Sequence, residues 1–203
     1  MKTDDQPPRD DDLKHLIHAA QRGDEVATAA IYRRFVGPLY RLAYGVLLDA
    51  QDAEEVVQDS FTYAFQNLHR YDPSRSALQT WLYMITMSRC RNKRRRWLPT
   101  IRLGDATEQL PGGGPRPEVV AEQHGMQEAV AEALRSLSPK LREAVVLRYF
   151  DGLTYREMAE VLHCPQKTAE SRVRLAHEAL YELLAGQREV LIAGLAARRR
   201  SEP

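Results

Sequence analysis

The sequence predicts an all-α protein made of two small helical units, a helical bundle and a helix-turn-helix unit, joined by a flexible linker. Three observations predict it. Apolar residues recur at helical spacing almost throughout, and no segment alternates convincingly as a strand. Residues 98–117, LPTIRLGDATEQLPGGGPRP, carry four prolines, a triple glycine and no periodicity, which marks a linker and a domain boundary. Residues 154–180 read as two helices separated by a short turn. A chain of 203 residues has room for two such units, each near the lower limit of what one hydrophobic core supports.

Taken in order, residues 1–12 (MKTDDQPPRDDD) are acidic and polar. They predict a disordered terminus, the opposite of a secretory signal, and hence a cytoplasmic protein. Leu13–Arg22 is a short helix, with Gly23-Asp24 as its stop and the next cap. Ile31, Phe35, Leu39, Leu42 and Val46 stripe a long helix, with a kink expected at Gly37-Pro38. Asp52 with Glu55 reads as a capping box that starts a helix burying Val57, Phe61, Ala64 and Leu68. Tyr71-Asp72-Pro73-Ser74 breaks the pattern as a loop, and a further helix runs from Leu78 into an arginine run. The first unit therefore spans 13–97 and the second 118–185, where helical patterning resumes through Leu134 and Leu137. Ser138-Pro139 opens a helix carrying Leu141, Val145 and Leu147, which Asp151-Gly152 ends. Residues 186–203 form a C-terminal tail with Val190, Leu191 and Leu195.

The helix-turn-helix is read from its punctuation. Thr154 and Glu157 form a capping box, and Ala159 is small where a second helix must cross closely. His163-Cys164-Pro165 interrupts, with Pro165 suited to the first turn of the next helix. There Ala169, Val173, Ala176 and Leu180 face inward, while Lys167, Ser171 and Arg174 point outward at about 100° per residue. Cationic and hydroxyl side chains on a short exposed helix suit a major-groove reader. The same segment alone also fits a helical hairpin with a solvated face.

Net charge is only +1, but it is segregated. Residues 49–59 carry five carboxylates and no cation, whereas residues 89–102 carry seven cations and no acid. The cluster Arg89, Arg91, Lys93, Arg94, Arg95 and Arg96 predicts a polyanion partner, because like charges so close repel without one. Trp81, Tyr83 and Met84 precede it, and Trp81 reads either as a core residue or as a platform for unpaired bases. The carboxylates are stabilised at a helix N-terminus by the macrodipole, less so Asp59, which lies further in. They equally offer an acidic face to a basic partner.

Together these blocks resemble the sigma-70 superfamily, and within it the extracytoplasmic-function group that keeps only conserved regions 2 and 4. The carriers are DAQDAEEVVQDSF, TWLYMITMSRCRNKRRRW, and LSPKLREAVVLRYFDGLTYREMAEVLHCPQKTAESRVRLAHEAL, in that order across the linker. The resemblance covers about residues 24–184. It implies that Asp52, Glu54, Glu55, Gln58 and Asp59 grip the clamp helices of the RNA polymerase β′ subunit. It implies that Tyr71, Ser74, Trp81, Arg89, Arg91, Asn92, Lys93, Arg94 and Arg95 open and read the promoter −10 element. It assigns the −35 element to Lys167, Thr168, Glu170, Ser171, Arg172 and Arg174, and seats the second unit on the β flap. An anti-sigma factor is a further implied partner. The chain departs from the family pattern at Glu170, acidic where a cation is usual, and at Leu175-Ala176-His177.

Other chemistry finds less support. No apolar run reaches the roughly 20 residues of a membrane span. Two distant cysteines, Cys90 and Cys164, form no disulfide framework. His163, Cys164, His177 and Cys90 lack tight ligand spacing, so no metal or cofactor is expected. No nucleophile triad, P-loop or carboxylate pair points to an enzyme. The alternative function is a stand-alone helix-turn-helix regulator, which would not need the basic-aromatic helix.

Overall fold

The computed structural model describes residues 10–101, 130–150 and 152–199, with side chains over 12–96, 130–150 and 152–185. Most of the linker, residues 118–129, Asp151 and most of the 1–12 terminus lie outside the described residues, as do the last four residues. All described regular structure is helical: α1 (Asp10–Gln21), α2 (Glu25–Leu47), α3 (Ala50–Gln66), α4 (Leu78–Ile101), α5 (helical residues 130–136), α6 (Pro139–Tyr149), α7 (Tyr155–Leu162) and α8 (Gln166–Arg199). Among the described residues no helix is long and apolar enough to cross a membrane.

The helices form where the sequence supplies ends for them. Gly23 adopts φ +89°, which closes α1, and Asp24 caps α2 by accepting from the amides of Val26 and Ala27. The stripe from Ile31 to Val46 is buried throughout, and α2 runs through Pro38 as one helix. Leu48 ends it in the left-handed region, φ 58°, donating to the Tyr44 carbonyl at 2.7 Å.

The capping residue of α3 differs from the sequence expectation. Asp49, in extended backbone, accepts from the Asp52 amide at 2.8 Å, so the helix starts at Ala50. Asp52 and Glu55 therefore lie inside the helix. The box read at Asp52 was displaced because the helix begins three residues earlier, where Asp49 accepts from the Asp52 amide as its N-cap. Their side chains are left available to another element.

Further along, α4 extends to Ile101, through Pro99 and into the segment read as linker. Ser138 does occupy the N-cap of α6 with Pro139 behind it, but it caps through its carbonyl, which accepts from Leu141 and Arg142, and not through its hydroxyl. Residues 186–199, read as a tail, continue α8. At 34 residues α8 spans about 50 Å.

The two units share one core. Buried residues of α2, α3 and α4 run continuously into those of α6, α7 and α8. Five successive residues of α6, Glu143 to Leu147, are buried, which means that this helix is covered on every side. One side packs against α7 and α8 of its own unit; the other lies against α2. Gly45 makes that crossing possible, since a Cβ there would sit 2.9 Å from both methyl carbons of Val146.

Candidate nucleic-acid interface

The second unit forms the expected helix-turn-helix from α7 and α8. Thr154 accepts from the Glu157 amide while the Glu157 carboxylate accepts from the Thr154 amide at 2.8 Å, a complete capping box. Met158, Val161 and Leu162 give α7 its buried face, while Ala159 is half-buried and its carbonyl accepts from the Cys164 amide. His163 turns the chain at φ 52°, and Pro165 immediately precedes α8, its carbonyl accepting from Thr168 and Ala169. Ala169, Val173 and Ala176 are buried and Leu180 half-buried, so Lys167, Ser171 and Arg174 emerge on the solvent side.

That outer face is partly self-paired. Arg174 meets Glu178 at 2.7 Å, Glu170 accepts from Gln166 at 3.0 Å, and the Ser171 hydroxyl donates to the Lys167 carbonyl. Thr168 and Arg172 are half-buried, with Arg172 reaching the Cys164 sulfur at 3.8 Å. Such exposed pairs are weak and readily exchanged for phosphate or base edges.

In the first unit, α4 carries Trp81 and the cations along one rod. Trp81 is half-buried, tilted against Tyr71 with ring centroids 5.2 Å apart. Tyr71 is buried; its hydroxyl donates to the Ser76 carbonyl at 2.9 Å, and burial raises its pKa. Its ring thus braces the loop and is not presented to a ligand. Ser74 is exposed, its amide and hydroxyl donating to Asp72, which lowers the Asp72 pKa. Arg89 lies over the Tyr63 ring at 4.9 Å.

The cations were read as needing an external polyanion, and here the structure corrects the reading. Lys93 pairs with Glu55 and, at 3.0 Å, with Asp52; Glu55 first and then Asp52 raise the Lys93 pKa against the opposing effect of burial. Arg91 meets Glu143 at 2.7 Å and Arg94 meets it at 3.2 Å. Arg95 donates to Asn92. The chain's own carboxylates, distant in sequence, relieve much of the repulsion. Arg95 and Arg96 remain exposed, as do Glu54, Gln58 and Asp59 on α3.

Glu143 had no role in the sequence reading, yet its side chain is only 3% exposed and it engages two cations of the other unit. The one signal was its place beside Ala144–Leu147, an apolar run that leaves no solvated face. A separate apolar groove of about 690 Å³ opens between α5, α6 and α8, lined among others by Leu134, Tyr149, Phe150, Tyr181 and Leu184. Tyr149 and Tyr181 are largely exposed there.

Comparisons with known proteins match two separate stretches of the chain. The family model for Sigma-70 region 2 matches residues 31–97, and that for Sigma-70, region 4, matches residues 127–180. The ECF RNA polymerase sigma factor SigW of Bacillus subtilis is 28% identical over 181 residues, 85% of this chain and 96% of SigW. The ECF RNA polymerase sigma-E factor of Escherichia coli K12 is 31% identical over 176 residues, 81% of this chain and 90% of that protein. Among solved structures, CnrH in complex with the cytosolic domain of CnrY superposes with a TM-score of 0.66 at 25% identity, covering 85% of this chain and 97% of that one. The sigma factor RpoE in complex with the anti-sigma factor NepR from Bartonella quintana has a TM-score of 0.64 at 24% identity, covering 77% and 96%, and shares the fold.

Proposed function

This chain belongs to the extracytoplasmic-function group of the sigma-70 family, and on that premise we propose that it directs core RNA polymerase to a promoter with −10 and −35 elements and helps to open the DNA. The family's members are initiation factors and not enzymes; bond formation belongs to the polymerase. The observation that supports it is that one chain holds two separate cation-bearing constellations, α4 with Trp81 and its cations, and α8 with Lys167, Ser171 and Arg174. A simple regulator needs only the second.

The division of labour follows from charge and shape. Glu54, Gln58 and Asp59, with Asp52 and Glu55 once Lys93 releases them, form the acidic face for the β′ clamp helices. Trp81 stacks on an unpaired base of the −10 strand, a contact worth roughly 1–3 kcal/mol. Arg89, Arg91, Asn92, Lys93, Arg94 and Arg95 hold the backbone beside it, and Ser74 lines the approach. Lys167, Thr168, Glu170, Ser171, Arg172 and Arg174 read the −35 groove, where Glu170 suits a cytosine amino group. The apolar groove beside Tyr149 and Tyr181 receives the β flap. Control by an anti-sigma factor in the cytoplasm completes the reading, in keeping with the complexes in which the similar folds occur.

Transcription from a genomic promoter library with purified chain and core polymerase tests this. Initiation that depends on the chain is the expected result. A stable DNA complex without polymerase, and no initiation with it, would overturn the proposal in favour of a regulator.

A further inference from the structure

We infer that Gln166 and Glu170 form one reading unit, a carboxamide locked to a carboxylate, that selects adenine in one base pair and cytosine in its neighbour. The inference rests on the −35-reading role of α8 and gives a function to Gln166, which the resemblance left unassigned. Gln166 is the first residue of α8 and is exposed, and the N-terminal residues of a recognition helix are those that contact base edges. Glu170 follows one turn later on the same flank. Nε2 of Gln166 donates to Oε1 of Glu170 at 3.0 Å.

The chemistry of that bond dictates what each side chain can offer to DNA. An ionised carboxylate only accepts, so Glu170 decides which end of the Gln166 carboxamide turns towards it. The Nε2 end faces Glu170, and Oε1 is left for the groove with one remaining Nε2 hydrogen. Gln166 thus offers one acceptor and one donor side by side, the complement of the adenine N6 amino group and N7. Guanine presents two acceptors there, N7 and O6, and a locked Gln166 has a single donor for them. Glu170 keeps Oε2, an acceptor that matches the cytosine N4 amino group and is repelled by the thymine and guanine carbonyls. Arg174, a turn beyond, would neutralise Glu170, but Glu178 holds it at 2.7 Å. Lys167, exposed beside the pair, offsets the carboxylate against phosphate. In water the Gln166–Glu170 bond is weak; a groove that closes around it lowers the local dielectric and strengthens it.

The full chain with core polymerase tests this on a promoter from which it initiates, with the −35 element randomised and the transcripts sequenced. The wild type is expected to enrich adenine in one base pair and cytosine in an adjacent one, each about tenfold over the other bases. Gln166→Ala should abolish the adenine enrichment and keep that for cytosine. Glu170→Ala should abolish both, because an unlocked carboxamide turns its two hydrogens to guanine as readily as it accepts from adenine. Glu170→Gln retains an oxygen for Gln166 and directs its own amide hydrogens outward. It should restore the adenine enrichment and exchange cytosine for guanine or thymine, a switch that loss of helix structure cannot produce. Adenine enrichment that survives Glu170→Ala would overturn the unit, as would a wild type that enriches no adenine beside cytosine. Initiation by the wild type with preferences unmoved in every variant sinks only the unit. No initiation by any form sinks the sigma reading, and selection of a randomised duplex by binding to the full chain then judges the unit by the same enrichments.

Discussion

At the scale of single residues, local chemistry does most of its work at helix ends and in buried polar groups. Thr154 satisfies an orphan amide at the start of α7, in reciprocity with Glu157. Thr154→Ala is expected to lower stability by about 1 kcal/mol, seen as a lower denaturant midpoint at unchanged slope. Cys90 is buried between the units, where desolvation first and the Glu143 charge second push its thiol up to about 12. An unfolded thiol titrates near 8.5, as a rough reference. Below that value the thiol is neutral in both states and its contribution is complete; above it the unfolded chain alone loses the proton, so stability falls as pH rises towards 12. The checkable outcome is that a disulfide reagent at pH 8 modifies half-buried Cys164 in the folded chain but not Cys90, by peptide mapping. Equal modification of both would mean that the interface opens more readily than its burial implies.

At the scale of elements, the basic half of α4 divides by exposure. Arg91, Lys93 and Arg94 are engaged by carboxylates, whereas Arg95 and Arg96 stand in solvent. Replacing Arg95 and Arg96 together with alanine is expected to flatten the salt slope of duplex binding by about 1.8, leaving the radius of gyration unchanged in X-ray scattering. On α3, Glu54→Ala with Asp59→Ala is expected to weaken capture of core polymerase while leaving duplex binding by the free chain intact. The elements themselves were legible in the sequence because their ends are local: Gly23-Asp24, Thr154…Glu157 and Ser138-Pro139 each act within four residues. The cap of α3 was misplaced because Asp49 and Asp52 each suit an N-cap, and sequence alone gives no rank to two carboxylates three apart. The basic run was read as needing a polyanion, but its partners within the chain were not legible. Glu143 lies about fifty residues beyond Arg91 and Arg94, and nothing in either segment specifies the other. Tyr71 was assigned to DNA by resemblance, whereas its burial against Trp81 could be seen only once the loop was folded.

At the scale of the whole molecule, one carboxylate-cation network links the surfaces proposed for polymerase and for DNA. Asp52 and Glu55, on the polymerase side, hold Lys93, which belongs to the DNA side. A basic polymerase surface docking on α3 must compete for those carboxylates and so release the Lys93 ammonium towards phosphate. Each ligand then favours the other, and thermodynamic linkage requires the factor to be the same in both directions. A coupling of 1–3 kcal/mol, the usual range, corresponds to roughly 5–150-fold. The affinity of the chain for a duplex, measured with and without a β′ clamp-helix fragment, is expected to rise within that range. The fragment's affinity should rise by the same factor when duplex is added. Lys93→Met removes the shared cation, so it should weaken duplex binding and shrink the coupling, while fragment binding without DNA strengthens as Asp52 and Glu55 are freed. Coupling that survives Lys93→Met undiminished would assign the communication to the α4–α6 contact instead of to this network.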